Sequence, residues 1–390
     1  MTALEHRSAT PLPATPLPET VPVTSGQLRS RDAGHRTLNW LALLLPWAIA
    51  GYILFDRAFA YVTVPGAPFY IGEFIVFVAV LGALVATGHI HRAMRHSTAT
   101  KLLIVWMLWG LLRTIPYLGI YKFDAIRDAA LWYYALVAIP VCALVLRDAD
   151  LVTRWAGMYR RFIPWFLIYA PIALLMGSAV GTHLNLFVPG SGTSVFDHKP
   201  GNIAVNIAIA LAFLWLVPNA GGRYRPFLTG FSTVVLLVVF TQNRGGFIAA
   251  TAGLAWVWLF AKRRGRMTLA VIATVALVIV AGWSLNIQIK SASGRTISVN
   301  QIIENFNSVT GAKSTQGSGN LNSTVQFRKN LWSAVITKVK TEKKVMTGLG
   351  FGIDIAKEVG FQGGGDTQLR SPHNSHVDVF ARMGVIGLAI

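Results

Sequence analysis

Apolar runs of about 18 or more residues recur along this chain, and they leave few folds open. About 20 apolar residues span a bilayer as a helix. In hydrocarbon each backbone N–H and C=O must find its partner within the protein, so only helices and closed barrels cross. The runs are too long for barrel strands. Ten are legible, at about 39–55, 68–87, 101–119, 128–146, 162–180, 202–217, 227–241, 246–261, 267–285 and 377–390. Composition agrees: 53% of residues are hydrophobic and 13% charged, against about 25% charged in soluble domains. The expectation is an all-α polytopic membrane protein with about ten transmembrane helices. It carries a large extracytoplasmic loop containing an amphipathic helix.

The formal charge of +19 points to nucleic acid only until its distribution is read. With the N-terminus inside, seventeen Lys and Arg fall in or beside the inner segments. Only Arg57, Lys122, Arg127, Lys199 and Arg244 fall in the short outer loops. That is the positive-inside bias of a cytoplasmic membrane protein, and no nucleic-acid partner is expected. Four regions follow: a disordered cytoplasmic tail (1–37), rich in Pro, Thr, Ser and Ala; spans one to nine (38–285); a large outer loop (286–372); and span ten (373–390). In the loop, residues about 322–344 have helical spacing, with Leu331, Val335 and Val339 on one stripe. The runs Gly348–Gly352 and Gln362–Asp366 read as flexible. The single cysteine, Cys142, excludes an intrachain disulfide, and no Cys/His set has zinc spacing. Neither a metal nor a cofactor is expected.

Two short stretches face outward. Gln242-Asn243-Arg244-Gly245-Gly246 separates spans seven and eight, and Ser371-Pro372-His373-Asn374-Ser375-His376 opens span ten. Arginine offers five donors in a fixed fork and keeps its charge, which suits a phosphate group. Gly245 and Gly246 would let backbone N–H groups approach the same anion. His373, neutral near pH 7, can take a proton from a hydroxyl. Asn374 either orients it or caps the helix, and His376 is the rival base. Lys122, Arg127 and Lys199 are further outer cations for a diphosphate. Arg113, three residues before Pro116, and Glu73 are charges inside spans. Arg113 faces either Asp124 or Asp128 or a substrate path. Asp197 and His198 read as a capped loop.

These features together resemble the O-antigen ligase and polymerase superfamily of bacterial envelope glycosyltransferases. The resemblance rests on Asn243-Arg244-Gly245-Gly246 between two spans and the large loop after span nine. It also rests on a loop helix with Arg328 and Trp332 followed by Gly348-Leu349-Gly350-Phe351-Gly352, and on His373-Asn374 with Gly384 and Gly387 beyond. It implies a GT-C-like bundle moving a glycan from undecaprenyl diphosphate to an acceptor hydroxyl, on a glycan or a lipid-linked acceptor, without metal. Carried over, Arg244 holds the diphosphate, His373 activates or places the acceptor, and Arg328 contacts glycan or phosphate. The family usually has about two more spans after the loop, so the bundle is expected either to be truncated or to manage with fewer. A polysaccharide or lipid transporter and a non-catalytic envelope-complex protein are the other classes that fit the composition.

Overall fold

The computed structural model describes residues 25–63, 70–85, 87–261, 264–290, 296–310, 319–361 and 370–390. The tail over 1–24 and the run 362–366 lie outside them, as does most of 311–320, which the composition marks as loop and whose last two residues begin a helix. Chain order is α1 (Ser25–Ala60), α2 (Ile71–Val85), α3 (Thr87–His96), α4 (Thr98–Tyr121), α5 (Phe123–Asp128), α6 (Ala130–Tyr133), α7 (Ala138–Arg147) and α8 (Asp150–His183). Then come α9 (Pro200–Leu216), α10 (Arg225–Gln242), α11 (Arg244–Phe260), α12 (Arg264–Ser284), a hairpin β1 (Ile289–Lys290) and β2 (Thr296–Ile297), α13 (Val299–Thr310), α14 (Gly319–Thr341), α15 (Ile355–Glu358) and α16 (Ser375–Ala389). The described residues of each of the ten apolar runs are mainly helical. Among the described residues, five segments are long and apolar enough to cross a membrane: Asn39–Ala60, Thr98–Tyr121, Phe123–Arg147, Gly222–Gln242 and Arg264–Ser284. Ile71–Leu84, Pro200–Leu216 and Arg244–Phe260 are apolar but shorter.

Two differences from the sequence reading have local causes. Helix α1 starts at Ser25, inside the stretch read as tail. The run at 128–146 is not one rod but α5, α6, a 3-10 turn (Tyr134–Val137) and α7 end to end. The corner before it is made by Lys122, which takes a positive φ of 48° and both ends α4 and begins α5.

The main core joins α8 to α11. Phe166, Leu167, Ile203, Ile207, Leu211, Leu214, Val235 and Val239 are all buried in it. Helices α9 and α11 approach unusually closely. A Cβ on Gly246 would stand 2.6 Å from Gly201 Cα, so this position needs glycine for the backbones to meet, while a Cβ on Gly201 would press on the Asn243 side chain at 3.1 Å. A second core joins α1, α2, α7 and the start of α8. Outward faces carry Trp47, Phe77, Leu112, Trp256, Leu269 and Leu277 largely exposed, as a lipid-facing surface requires.

The outer loop is a folded layer. The stripe Leu331, Val335 and Val339 of α14 is buried against Leu349, Ile355, Ala356 and Ala381. The run Gly348–Gly352 is wedged between α4 and α16, not free. Leu349 and Gly350 donate their N–H groups to the carbonyls of Ala381 and Arg382 at 2.6 and 3.1 Å. Gly348, Gly350 and Gly352 have φ of 70°, 92° and 97°, and a Cβ on any of them would lie within about 2.4 Å of a neighbour. Those bonds fill carbonyls that α16 itself leaves open, because α16 breaks at Gly384 (φ 71°, ψ −167°). Past the break, Val385 N–H pairs with Val345 O at 2.9 Å. Trp109 Nε1 and Trp106 Nε1 donate to the carbonyls of Met383 and Gly387, each at 2.9 Å. The expected tenth span is therefore a broken helix, outside the segments long and apolar enough to cross a membrane, and its freed backbone groups are satisfied by neighbours.

Candidate functional site

Asn243 ends α10 in extended geometry and caps α11, its Oδ1 accepting Gly246 N–H at 2.8 Å. Arg244 is thus the first helical residue and is half-buried. The Gly246 amide is taken by this cap, and Gly246 itself serves the crossing with Gly201. The glycine amides of this turn therefore do not form an open nest for an anion. Asn305 of α13 lies over the turn and donates from Nδ2 to Phe240 O at 2.9 Å.

Lys199 precedes α9, whose first turn abuts the same cap: a Cβ on Gly201 would lie 3.1 Å from Asn243 Nδ2. The Lys199 backbone is fixed by Asp56, which accepts its N–H at 2.7 Å and Asn202 Nδ2 at 2.7 Å. His198 beside it meets the Leu54 carbonyl at 2.6 Å and Tyr169 Oη at 3.2 Å, while Asp197 pairs with Arg57 at 3.2 Å. Asp197 and His198 are structural, as a capped loop implies.

His373 is exposed and takes a positive φ of 50°, a strained choice for a non-glycine residue that costs about 1–3 kcal/mol and persists only where the surroundings enforce it. They do: Trp332 Nε1 holds Pro372 O at 2.8 Å, and Asn374 Oδ1 caps α16 by accepting the N–H groups of His376 and Val377 at 3.0 and 3.4 Å. Partial burial, and then the positive charges of Arg328 and Lys199, hold the His373 imidazolium below its ordinary pKa, against the opposing charge of Asp378. Arg328 and Lys199 thus act on His373, and Lys199 also stands two residues from the glycine that touches Asn243. Lys199 thus links the two stretches: it leads into the α9 turn that abuts Asn243, and its charge reaches His373. His376 is exposed one residue inside α16.

The remaining candidates stand elsewhere. Arg113 donates to Gly348 O at 2.9 Å and Tyr117 Oη at 3.3 Å, so it braces the glycine run and meets neither Asp124 nor Asp128. Lys122 forms the α4–α5 corner, and exposed Arg127 pairs with Asp124 at 3.0 Å. Glu73 accepts from Tyr134 Oη at 3.0 Å and Tyr133 Oη at 3.3 Å. A mostly apolar cavity of about 740 Å³ lies between α1, α2, α7 and α8, lined by Tyr52, Tyr134, Trp155 and Phe162 among others, and holds none of the candidates. Among the described residues, no group of three His, Cys, Asp or Glu side chains is placed to hold a metal ion.

Sequence reasoning missed Arg370 and Arg382. Arg382 and Asp378 lie within the tenth apolar run, and a charge there is itself a signal. Arg370 carries no such mark.

Residues 229–390 match the family model described as O-antigen ligase. The matched stretch contains α10 from its fifth residue on, α11 to α16 and, with them, Arg244, Arg328 and His373. No curated protein and no solved structure matches the chain.

Proposed function

We propose a ligase-type role in surface polysaccharide synthesis, a reading supported by the match of residues 229–390 to the O-antigen ligase family model. We propose that the chain moves a glycan from undecaprenyl diphosphate to an acceptor hydroxyl on the outer face of the cytoplasmic membrane. The observation that supports this reading is the position of Lys199, whose charge, with that of Arg328, lowers the His373 pKa and which leads into the α9 turn abutting the Arg244 cap. Arg244 holds the diphosphate bidentately, with Lys199 and Arg328 sharing its charge. The acceptor oxygen attacks the anomeric carbon as the bond to the diphosphate oxygen breaks, and the configuration inverts. The leaving diphosphate keeps the electron pair, and Arg244 stabilises that developing charge. The acceptor proton passes to the His373 imidazole. Positive neighbours suit both halves of the step: they attract the leaving group and keep His373 unprotonated.

Deletion of the gene in its host tests this in the cell. Loss of one surface glycan, restored by the wild-type chain but not by Arg244→Ala or His373→Ala at equal abundance, is the expected result. An unchanged glycan profile sinks the proposal. The size ladder of the restored product separates transfer onto a lipid-linked acceptor from chain growth.

A further inference from the structure

The segment carrying His373 is tied down on both sides by one carboxylate. Asp128 ends α5, and its Oδ2 accepts from Arg370 Nη2 at 3.2 Å, Arg382 Nη1 at 2.9 Å and the Gly352 N–H at 3.2 Å. Arg370 lies three residues before His373, and Arg382 nine after it. Relative exposure of these side chains is 8% for Asp128, 3% for Arg382 and 17% for Arg370. Arg370 also reaches Asp124 at 3.4 Å, Gly352 O at 3.1 Å and Asp354 at 3.9 Å. Arg382 Nε donates to Asp378 at 3.0 Å. A buried guanidinium needs its counter-charge, and among the described residues Asp128 is the one carboxylate that the two arginines share, beside Asp124 and Asp354 for Arg370 and Asp378 for Arg382. The chain between them, with its left-handed His373, has its two ends set by the same atom.

We infer that Asp128 is a positioning residue for His373, acting through Arg370 on one side and Arg382 on the other to fix where the imidazole stands. This rests on the catalytic reading of His373 given above. Asp128 does not itself reach the reacting atoms.

Two variants test it. Asp128→Asn keeps the shape and removes the charge. Arg370→Gln releases only the near side and leaves Arg382 with Asp128 and Asp378. Rates are measured per folded protein in lipid, with an undecaprenyl-diphosphate-linked glycan as donor. Each variant is expected to lower kcat at least tenfold while the donor KM moves less than threefold, because the Arg244 turn is untouched. In a His373→Ala background the same substitutions should cost nothing further. Equal losses in both backgrounds, a loss carried by donor KM, or full activity in both variants overturns the inference. If Asp128→Asn fails to fold, Arg370→Gln decides alone. If His373→Ala keeps the wild-type rate, the catalytic reading has failed instead. The positioning claim is then read from His373→Cys in a Cys142→Ala chain. Labelling of residue 373 by a water-soluble maleimide should speed at least threefold when Arg370→Gln is added, and unchanged labelling overturns the claim.

Discussion

In the proposed reaction Arg244 and His373 divide the chemistry, and each predicts its own loss. Removing a donor that faces the leaving group costs about 10²–10³ in rate, and Arg244→Lys should recover little, since an ammonium lacks the fork. Removing a proton acceptor costs about 10²–10⁴. The pH dependence has a definite sign. The His373 pKa lies below the ordinary value because of burial and the charges of Arg328 and Lys199. The neutral base therefore persists as pH falls past 6.5, and activity is lost only as pH drops through the lowered value. Arg328→Ala removes one of those charges, so the acid limb of the pH–rate profile should move to higher pH. A limb that stays in place or moves down contradicts this account of His373. Both residues were legible in the sequence, because a charge or an imidazole at the edge of an apolar run is conspicuous. The clamp behind His373 was not: Asp128 and Arg370 are 242 residues apart in sequence, and only the fold puts them in contact.

At the scale of elements, glycines set the geometry, and two pairs separate space from conformation. Gly246→Ala should part α9 from α11 and disable the Arg244 turn, because its Cβ meets the Gly201 backbone at 2.6 Å. Gly245→Ala meets nothing closer than Asn243 Oδ1 at 3.6 Å and should be tolerated. Thermal stability and transfer rate in the two variants check this. Gly384→Ala combines a glycine-only backbone region with a Cβ placed 2.2 Å from Met346 O. Strain and overpacking together should cost about 2–5 kcal/mol. Gly119→Ala, with open space around it, should be close to neutral by the same melting measurement. Helix positions were readable from hydrophobic runs, and the stripe Leu331, Val335 and Val339 from its spacing. The run Gly348–Gly352 misled, because glycine composition reads as freedom where here it marks close backbone approach to Tyr117, Tyr121 and α16. The break in α16 was equally hidden, since an apolar run looks the same whether or not its helix is continuous.

For the whole molecule, the orientation proposed from the positive-inside count would put α13 to α15, Lys199 and the Arg244 turn on the outer side of the membrane. In a Cys142→Ala chain, a cysteine at Lys340 should react with a membrane-impermeant maleimide in intact cells, and one at Arg223 only after permeabilisation. The reverse pattern would invert the topology and place the site in the cytoplasm. Reconstituted transfer is the measurement that bears most directly on the account. Purified protein in lipid is given an undecaprenyl-diphosphate-linked glycan and its acceptor, with chelator and without nucleotide. The account predicts release of undecaprenyl diphosphate and movement of the glycan by the wild type, lost in Arg244→Ala and His373→Ala that still melt as folded proteins. Wild-type rates in both folded variants would contradict it.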